Sequence, residues 1–518
     1  MSPVLGRLAS VALVGLDAHV VEVETHVAAA MPAFVIVGLP DAAVQESRER
    51  VRAAIMNAGY RFPARRIIVN LAPADVRKSG PLLDLPIALS FLLATGQARC
   101  ADRRLAAVGE LGLDGSLRPV AGALALAEGA RRAGLRGLIV PAANATEAAL
   151  VPGIEVFAVR TLAEAVTAIE SGGPAAAATP AADVGALLAQ PPVCDADLAD
   201  VIGQHLARRA LEVAVAGGHN IVMVGPPGSG KTMLARRVST IMSPLAVDEA
   251  LAVTRVHSVA GLLPPGEPLV RRRPFRAPHH SISLAGLIGG GSSPRPGEVS
   301  LAHMGVLFLD ELAEFRPSAL EALRQPLEDG RITVARALSS VTFPAAVMLV
   351  AAMNPCPCGH LGDRGTECIC TQQRLRQYRA RLSGPLLDRI DLRIAVGRVA
   401  AADLRAAPSG ESSAAVRERV CAARARQTAR LAGSGVFANA QLGTRQVRRL
   451  CRLSPGAAAA LDTAYTRLHL SARACERVVK VAQTVADLGG ATVIAEEHVR
   501  ESLAYRGVGV AAEQAGAA

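Results

Sequence analysis

Gly225-Pro-Pro-Gly-Ser-Gly-Lys231-Thr232 follows the short apolar run Ile221–Val224 and precedes a helix-forming stretch at residues 233–241. Strand, loop and helix in that order are the setting that a phosphate-binding loop requires. Glycines let backbone N–H groups curl around phosphate oxygens, and the helix N-terminus adds its positive dipole. In this reading Gly225, Pro226, Pro227, Gly228, Ser229 and Gly230 form the cradle for ATP. Lys231 reaches the β- and γ-phosphates and Thr232 holds Mg²⁺. The alternative is a glycine-rich turn without a ligand. Composition argues against it, because only Lys78, Lys231 and Lys480 are lysines among 56 basic residues.

A second element lies downstream. Gly305-Val-Leu-Phe-Leu-Asp310-Glu311 reads as an apolar strand ending in two carboxylates. Asp310 suits the magnesium contact and Glu311 suits polarisation of the attacking water. A solvated turn is the competing reading of two adjacent acids.

With 518 residues, 51% of them apolar, the chain is too long for one core and suits several soluble domains. No run of eighteen apolar residues occurs, so no membrane span is expected and the location is read as cytoplasmic. The net charge of +11 permits a nucleic-acid partner without proving one. Aromatics make up 3%, which argues against a stacking platform for bases.

Residues 1–170 alternate strand-like and helical runs and read as an α/β domain. The Gly-, Pro- and Ala-rich stretch 171–192 reads as a linker. Residues 193–397 hold every nucleotide motif. Residues 398–508 read as a helical lid, with Val416, Val420, Ala423 and Leu431 on one helix face, and 509–518 as a frayed tail.

From GLDAHVVEVE through VNLAPADVRKSG, RPFRAPHH, SLAHMGVLFLDEL and AAMNPCPCG to SGPLLDRIDL, the chain resembles the ComM (YifB) family. Residues 193–508 resemble the Mg-chelatase-like branch of AAA+ ATPases. The resemblance implies a ring, six subunits by family habit. It implies a DNA motor that promotes branch migration during DNA uptake and recombination, with single-stranded or branched DNA and recombination proteins as partners.

The resemblance also assigns residues. Asn354, ending Val350-Ala-Ala-Met-Asn354, takes the sensor-1 position, where it holds the attacking water or the γ-phosphate. Arg389, in Ser383-Gly-Pro-Leu-Leu-Asp-Arg389-Ile-Asp391, takes the arginine-finger position and acts on ATP held by the neighbouring subunit; a finger contributes roughly 10³–10⁵ in rate. Arg473 takes the sensor-2 position. Ile202 and Gly203 lie where this family encloses adenine, with the plain start of a helix as the other reading. Two hairpins are expected to face the ring channel, at 286–298 with Arg295 near its tip, and at 330–344 with Arg331 and Arg336. Arginines there suit a phosphate backbone; ordinary surface hairpins are the alternative. The run ending in His279-His280 is left open among DNA contact, subunit contact and nucleotide relay.

Cys356-Pro-Cys358 and Cys368-Ile-Cys370 place four soft ligands within fifteen residues. That suits a closed tetrahedral site for structural zinc, with fortuitous thiols as the alternative. Residues 1–170 resemble the Lon proteolytic domain, an α/β fold of the ribosomal S5 domain 2-like type. Leu82 and Leu124 stand where that family has its serine and lysine, so no peptidase chemistry is expected. The leading expectation is therefore an ATP-driven DNA translocase or branch-migration helicase. The alternative is a chelatase-type motor that drives metal insertion through a partner subunit.

Overall fold

The computed structural model describes residues 5–173, 178–189, 196–264, 266–291, 294–336, 339–363, 365–399, 410–434 and 436–506. The 509–518 tail and the Arg336 side chain lie outside the described residues.

The first unit is a seven-stranded mixed sheet. Its order is Ala33–Val37, Arg66–Ala72, Asp17–Ala28, Gly6–Val14, Leu105–Ala107, Gly137–Pro141 and Glu155–Val159. Gly6–Val14 and Asp17–Ala28 form an antiparallel hairpin closed at Gly15-Leu16. Helices Ala42–Asn57, Asp84–Ala94, Ala123–Arg132 and Leu162–Glu170 cover it. Leu82 and Leu124 are both buried in this core. Residues 171–192, expected as a linker, carry a helix at Val184–Ala189. Their backbone is pinned to the first unit by Thr179 N–H to Val156 O and Ala182 N–H to Ala149 O.

The second unit is a five-stranded sheet in the order Phe275–Arg276, Val306–Leu309, Met348–Met353, Ile221–Val224, Leu392–Ala395. Every pairing in it is parallel. Val306–Leu309 is buried along its whole length, as expected of a parallel strand covered on both faces. In such sheets ligands sit beyond the carboxyl ends of the strands. Those ends here carry the glycine loop, Asp310-Glu311 and Asn354.

The third unit is helical: Ser413–Leu431, Thr444–Leu450, Pro455–Arg467, Ala472–Leu488 and Glu496–Ala504. Ser412, Ser454 and Ser471 each cap a helix by accepting a backbone N–H, which fixes where three of these helices start. Val416, Val420, Ala423 and Leu431 are all buried, as their spacing predicts.

The first unit packs on the second through a mixed contact. Leu16, in the hairpin turn, clusters with Val256, Leu301, Val341 and Phe343. Gly122 N–H reaches Ser258 O, the Ser258 hydroxyl meets Glu147, and Glu147 also accepts from Leu124 N–H. Burial pushes the Glu147 carboxyl up, against the opposing pull of Ser258.

Candidate nucleotide site and outlying arginines

The loop begins where strand Ile221–Val224 ends and closes onto helix Lys231–Ile241. A Cβ on Gly225 would lie 2.1 Å from Val396 O, so the loop passes the next strand only because that residue has none. Lys231 Nζ donates to Gly225 O at 2.7 Å and Pro226 O at 2.9 Å, and lies 3.4 Å from both Ser229 Oγ and Asn354 Oδ1. Burial pushes the Lys231 ammonium down, opposed by the Asp310 charge. A buried cation held by carbonyls can exchange them for phosphate oxygens at little reorganisation cost.

Thr232 Oγ1 donates to Asp310 Oδ2 at 2.7 Å. A hydroxyl in the first turn of that helix and a carboxylate at the end of strand Val306–Leu309 converge as hard oxygen ligands, and they fit Mg²⁺. Asn354 follows strand Met348–Met353 and its carbonyl accepts from the Tyr378 hydroxyl at 3.1 Å.

Glu311 stands beside Asp310 in left-handed backbone, φ 52°. That region is sparsely populated for residues with a side chain and marks a constrained position. Its carboxylate lies 3.3 Å from His280 Nδ1. The His279 and His280 rings are 4.1 Å apart, and His280 meets the edge of Phe315. Ile202 and Gly203 are half-buried. Gln204 after them donates to Gly397 O at 2.6 Å and to Ser229 O at 3.4 Å, tying this segment to the cradle.

The four sulfur atoms of Cys356, Cys358, Cys368 and Cys370 lie within 4.8 Å of one another. Three of the separations are 3.3, 3.7 and 3.6 Å. The edge of a ZnS₄ tetrahedron built on 2.3 Å bonds is about 3.8 Å, so the cluster fits zinc. Backbone N–H groups and neighbouring thiols push Cys358 down, while burial and the same neighbours push Cys368 and Cys370 up, as close thiols sharing protons do. Gly359 in this knuckle faces the cradle: a Cβ there would lie 2.7 Å from Pro227 Cδ.

Arg389 and Arg473 are not brought to this cradle. Arg389 precedes strand Leu392–Ala395, whose first residue pairs with Ile221 at the amino end of the sheet. Its guanidinium is held by Arg324 O, Pro385 O and Glu328. Arg473 is exposed at the start of helix Ala472–Leu488. One turn later, Arg477 pairs with Asp391 at that same amino end.

Both expected hairpins are present. Gly289–Gly290 pairs with Arg295–Pro296, and Arg295 is exposed. Arg331–Arg336 pairs with Ser339–Pro344, with an exposed Arg331 at the foot and Arg336 at the far end.

Family models carry the match along the chain. The family described as "Magnesium chelatase, subunit ChlI" matches residues 197–404. "Subunit ChlI of Mg-chelatase" matches 23–144, and "Magnesium chelatase, subunit ChlI C-terminal" matches 410–506. YifB of Salmonella typhimurium is 43% identical over 96% of each chain. Competence protein ComM of Haemophilus influenzae is 42% identical, again over 96% of each. The chain belongs to the ComM/YifB family of Mg-chelatase-like AAA+ ATPases. Lon protease 2 of Bacillus subtilis is 31% identical over 147 residues, 26% of this chain and 25% of that protein. Among the described residues, no helix of this ComM/YifB-family chain is long and apolar enough to cross a membrane.

Sequence reasoning left the His280 contact with Glu311 unassigned and missed Tyr378 and Gly359. The family marker pointed at His280 without a role. Nothing in the sequence around Tyr378 signals that its hydroxyl meets Asn354.

Proposed function

We propose that this AAA+ chain is an ATP-driven DNA motor, a branch-migration helicase working as a ring of six copies. One observation carries the reading. The cradle and Arg389 lie at opposite ends of the same sheet, and Arg473 stands one helical turn ahead of Arg477, which pairs with Asp391 at the Arg389 end. A cradle at one end and a finger at the other serve each other only between adjoining copies.

In that ring Lys231 and the cradle N–H groups bind the phosphates, while Thr232 and Asp310 hold magnesium. Glu311 accepts the proton of the attacking water and Asn354 orients it. Arg389 and Arg473 of the adjoining copy neutralise the charge that develops on the leaving phosphate. Arg295, Arg331 and Arg336 hold the DNA backbone without reading bases. The four cysteines hold a structural zinc, and the amino-terminal unit does no peptide hydrolysis. The name of the Haemophilus relative, a competence protein, supports a role in DNA uptake and recombination. The chelatase-type reading rests on the family descriptions and on a partial likeness, 29% identity over 30% of this chain, to a magnesium-chelatase 67 kDa subunit of Chlorobaculum parvum.

The test is ATPase activity with and without branched DNA, alongside strand displacement on a four-way junction. DNA should stimulate turnover, Arg331→Ala should weaken the stimulation, and rising salt should abolish it. Purified rings at low salt that show neither stimulation nor strand movement overturn the DNA reading.

A further inference from the structure

Two residues directly ahead of the cradle strand make contacts that ATP binding does not explain. His219 is fully buried. Its Nδ1 lies 2.9 Å from Asp391 Oδ2, and its Nε2 lies 2.8 Å from Thr484 Oγ1. One ring therefore bridges two distant parts of the chain. Asp391 stands two residues beyond the finger Arg389. Thr484 stands on the helix whose first turn carries Arg473.

Asn220 works beside it. Its Nδ2 donates to the Arg389 carbonyl at 2.8 Å, and its Oδ1 accepts from Leu349 N–H at 2.8 Å. Its own carbonyl accepts from Asp391 N–H and Leu392 N–H, each at 3.0 Å. The finger segment is thus clamped from both sides by the residues that lead into strand Ile221–Val224.

The lid helix joins the same clamp twice. Arg473, Arg477 and Thr484 stand at i, i+4 and i+11, which is one face of a helix. Arg477 Nε lies 3.7 Å from Asp391 Oδ1, on the carboxylate that His219 also holds. Burial alone would push the Asp391 carboxyl up. The His219 hydrogen bond and the Arg477 and Lys480 charges outweigh it and hold it below the ordinary range. Removing one partner of such a buried pair costs more than the bond itself, because the other is left unpaired.

We propose that His219 and Asn220 are positioning residues that set Arg389 and Arg473 as one unit. They tie both arginines to the strand that carries the protomer's own cradle. The proposal rests on the reading that Arg389 acts on nucleotide held by the adjoining copy. Neither residue touches the nucleotide of its own chain. Their effect is felt next door, at the neighbour's cradle.

This location makes a mixing experiment decisive. His219→Gln removes the contact to Asp391. Asn220→Asp keeps the acceptor for Leu349 N–H while removing the donor to Arg389. Each variant should bind a fluorescent ATP analogue as the parent does and form rings by light scattering. Turnover in rings of one variant alone should fall roughly tenfold or more, in kcat and not in KM. Mixing either variant with Lys231→Ala subunits should restore turnover severalfold above the two separate rates. The Lys231→Ala copies lack a working cradle but present an intact finger to the variant's own cradle.

Arg389→Ala mixed with Lys231→Ala is the control. If that control recovers activity and both the His219 and Asn220 variants do not, the positioning role is wrong and the trans-acting finger stands. If either variant alone keeps the parent kcat, the role is wrong as well. If the Arg389→Ala control itself fails to recover, the reading of Arg389 falls and this inference falls with it. Should His219→Gln fail to form rings, Asn220→Asp carries the same test with the same outcomes.

Discussion

Lys231 and His303 show what burial does to single ionisable groups here. Burial pushes the His303 ring down to about 4, and its neutral Nδ1 accepts Ala346 N–H at 3.2 Å. A folded-state pKa below the unfolded value near 6.5 means that folding favours the neutral ring. That stability is complete above about pH 6.5 and is lost as pH falls towards about 4. Thermal unfolding followed from pH 7 to pH 4 should show the loss, and His303→Asn, which keeps an acceptor, should flatten it. A second prediction concerns His280. A hydrogen bond donated by His280 Nδ1 would draw charge from the carboxylate with which Glu311 is to take a proton from water. His280→Ala should raise turnover without DNA about threefold, a modest factor because the pair is partly exposed, and leave ATP affinity unchanged. A fall in turnover would show instead that the ring orients Glu311 productively. The cradle residues were legible in the sequence because their chemistry is local: six residues and a lysine curl around one anion. His280, Tyr378 and His219 were not legible. Each acts on a residue at least 24 positions away, and only the fold brings the pairs together.

Strands, hairpins and the knuckle show where sequence pattern carries and where it stops. The helix at Lys231–Ile241 follows from the glycine loop ahead of it and the hairpin at Arg331–Arg336 from the family resemblance, so their places were readable. The order of the five-stranded sheet was not, since a register between strands more than a hundred residues apart, as between Ile221 and Val350, leaves no local trace. Helix Val184–Ala189 stands inside a stretch whose composition reads as a linker. Val184, Leu187 and Leu188 pack half-buried against the core of the first unit, but a face of three residues is too short to announce a helix in so Gly-, Pro- and Ala-rich a stretch. The knuckle has a consequence at this scale. Gly359 rests on Pro227, so the loop after Asn354 braces the cradle from above. Stripping the metal with a chelator, or replacing Cys358 and Cys368 by serine, should weaken ATP binding about tenfold while far-UV circular dichroism is unchanged. Metal analysis should return one zinc per chain. Full ATP affinity in metal-free protein would separate the knuckle from the cradle.

Taken whole, the molecule joins two sheets through a seam that is apolar at Leu16 and polar at Glu147. Leu16→Asp would set an unpaired charge among Val256, Leu301, Val341 and Phe343, at a cost of about 2–4 kcal/mol. The expected outcome is a melt split into two transitions and faster proteolysis between the units. ATP binding at Lys231 should persist, because the cradle lies outside that cluster. Leu124 sits in this seam, its backbone N–H on Glu147, and it lines a cavity of about 340 Å³ with Asp248, Leu251 and Arg255 of the second unit. Leu124→Lys would therefore deliver an ammonium into the joint between the two units, beside Glu147 and Arg255. Whatever first-unit residues gather around position 124 are reached only by parting the first unit from the second, along the seam of Gly122, Glu147 and Ser258.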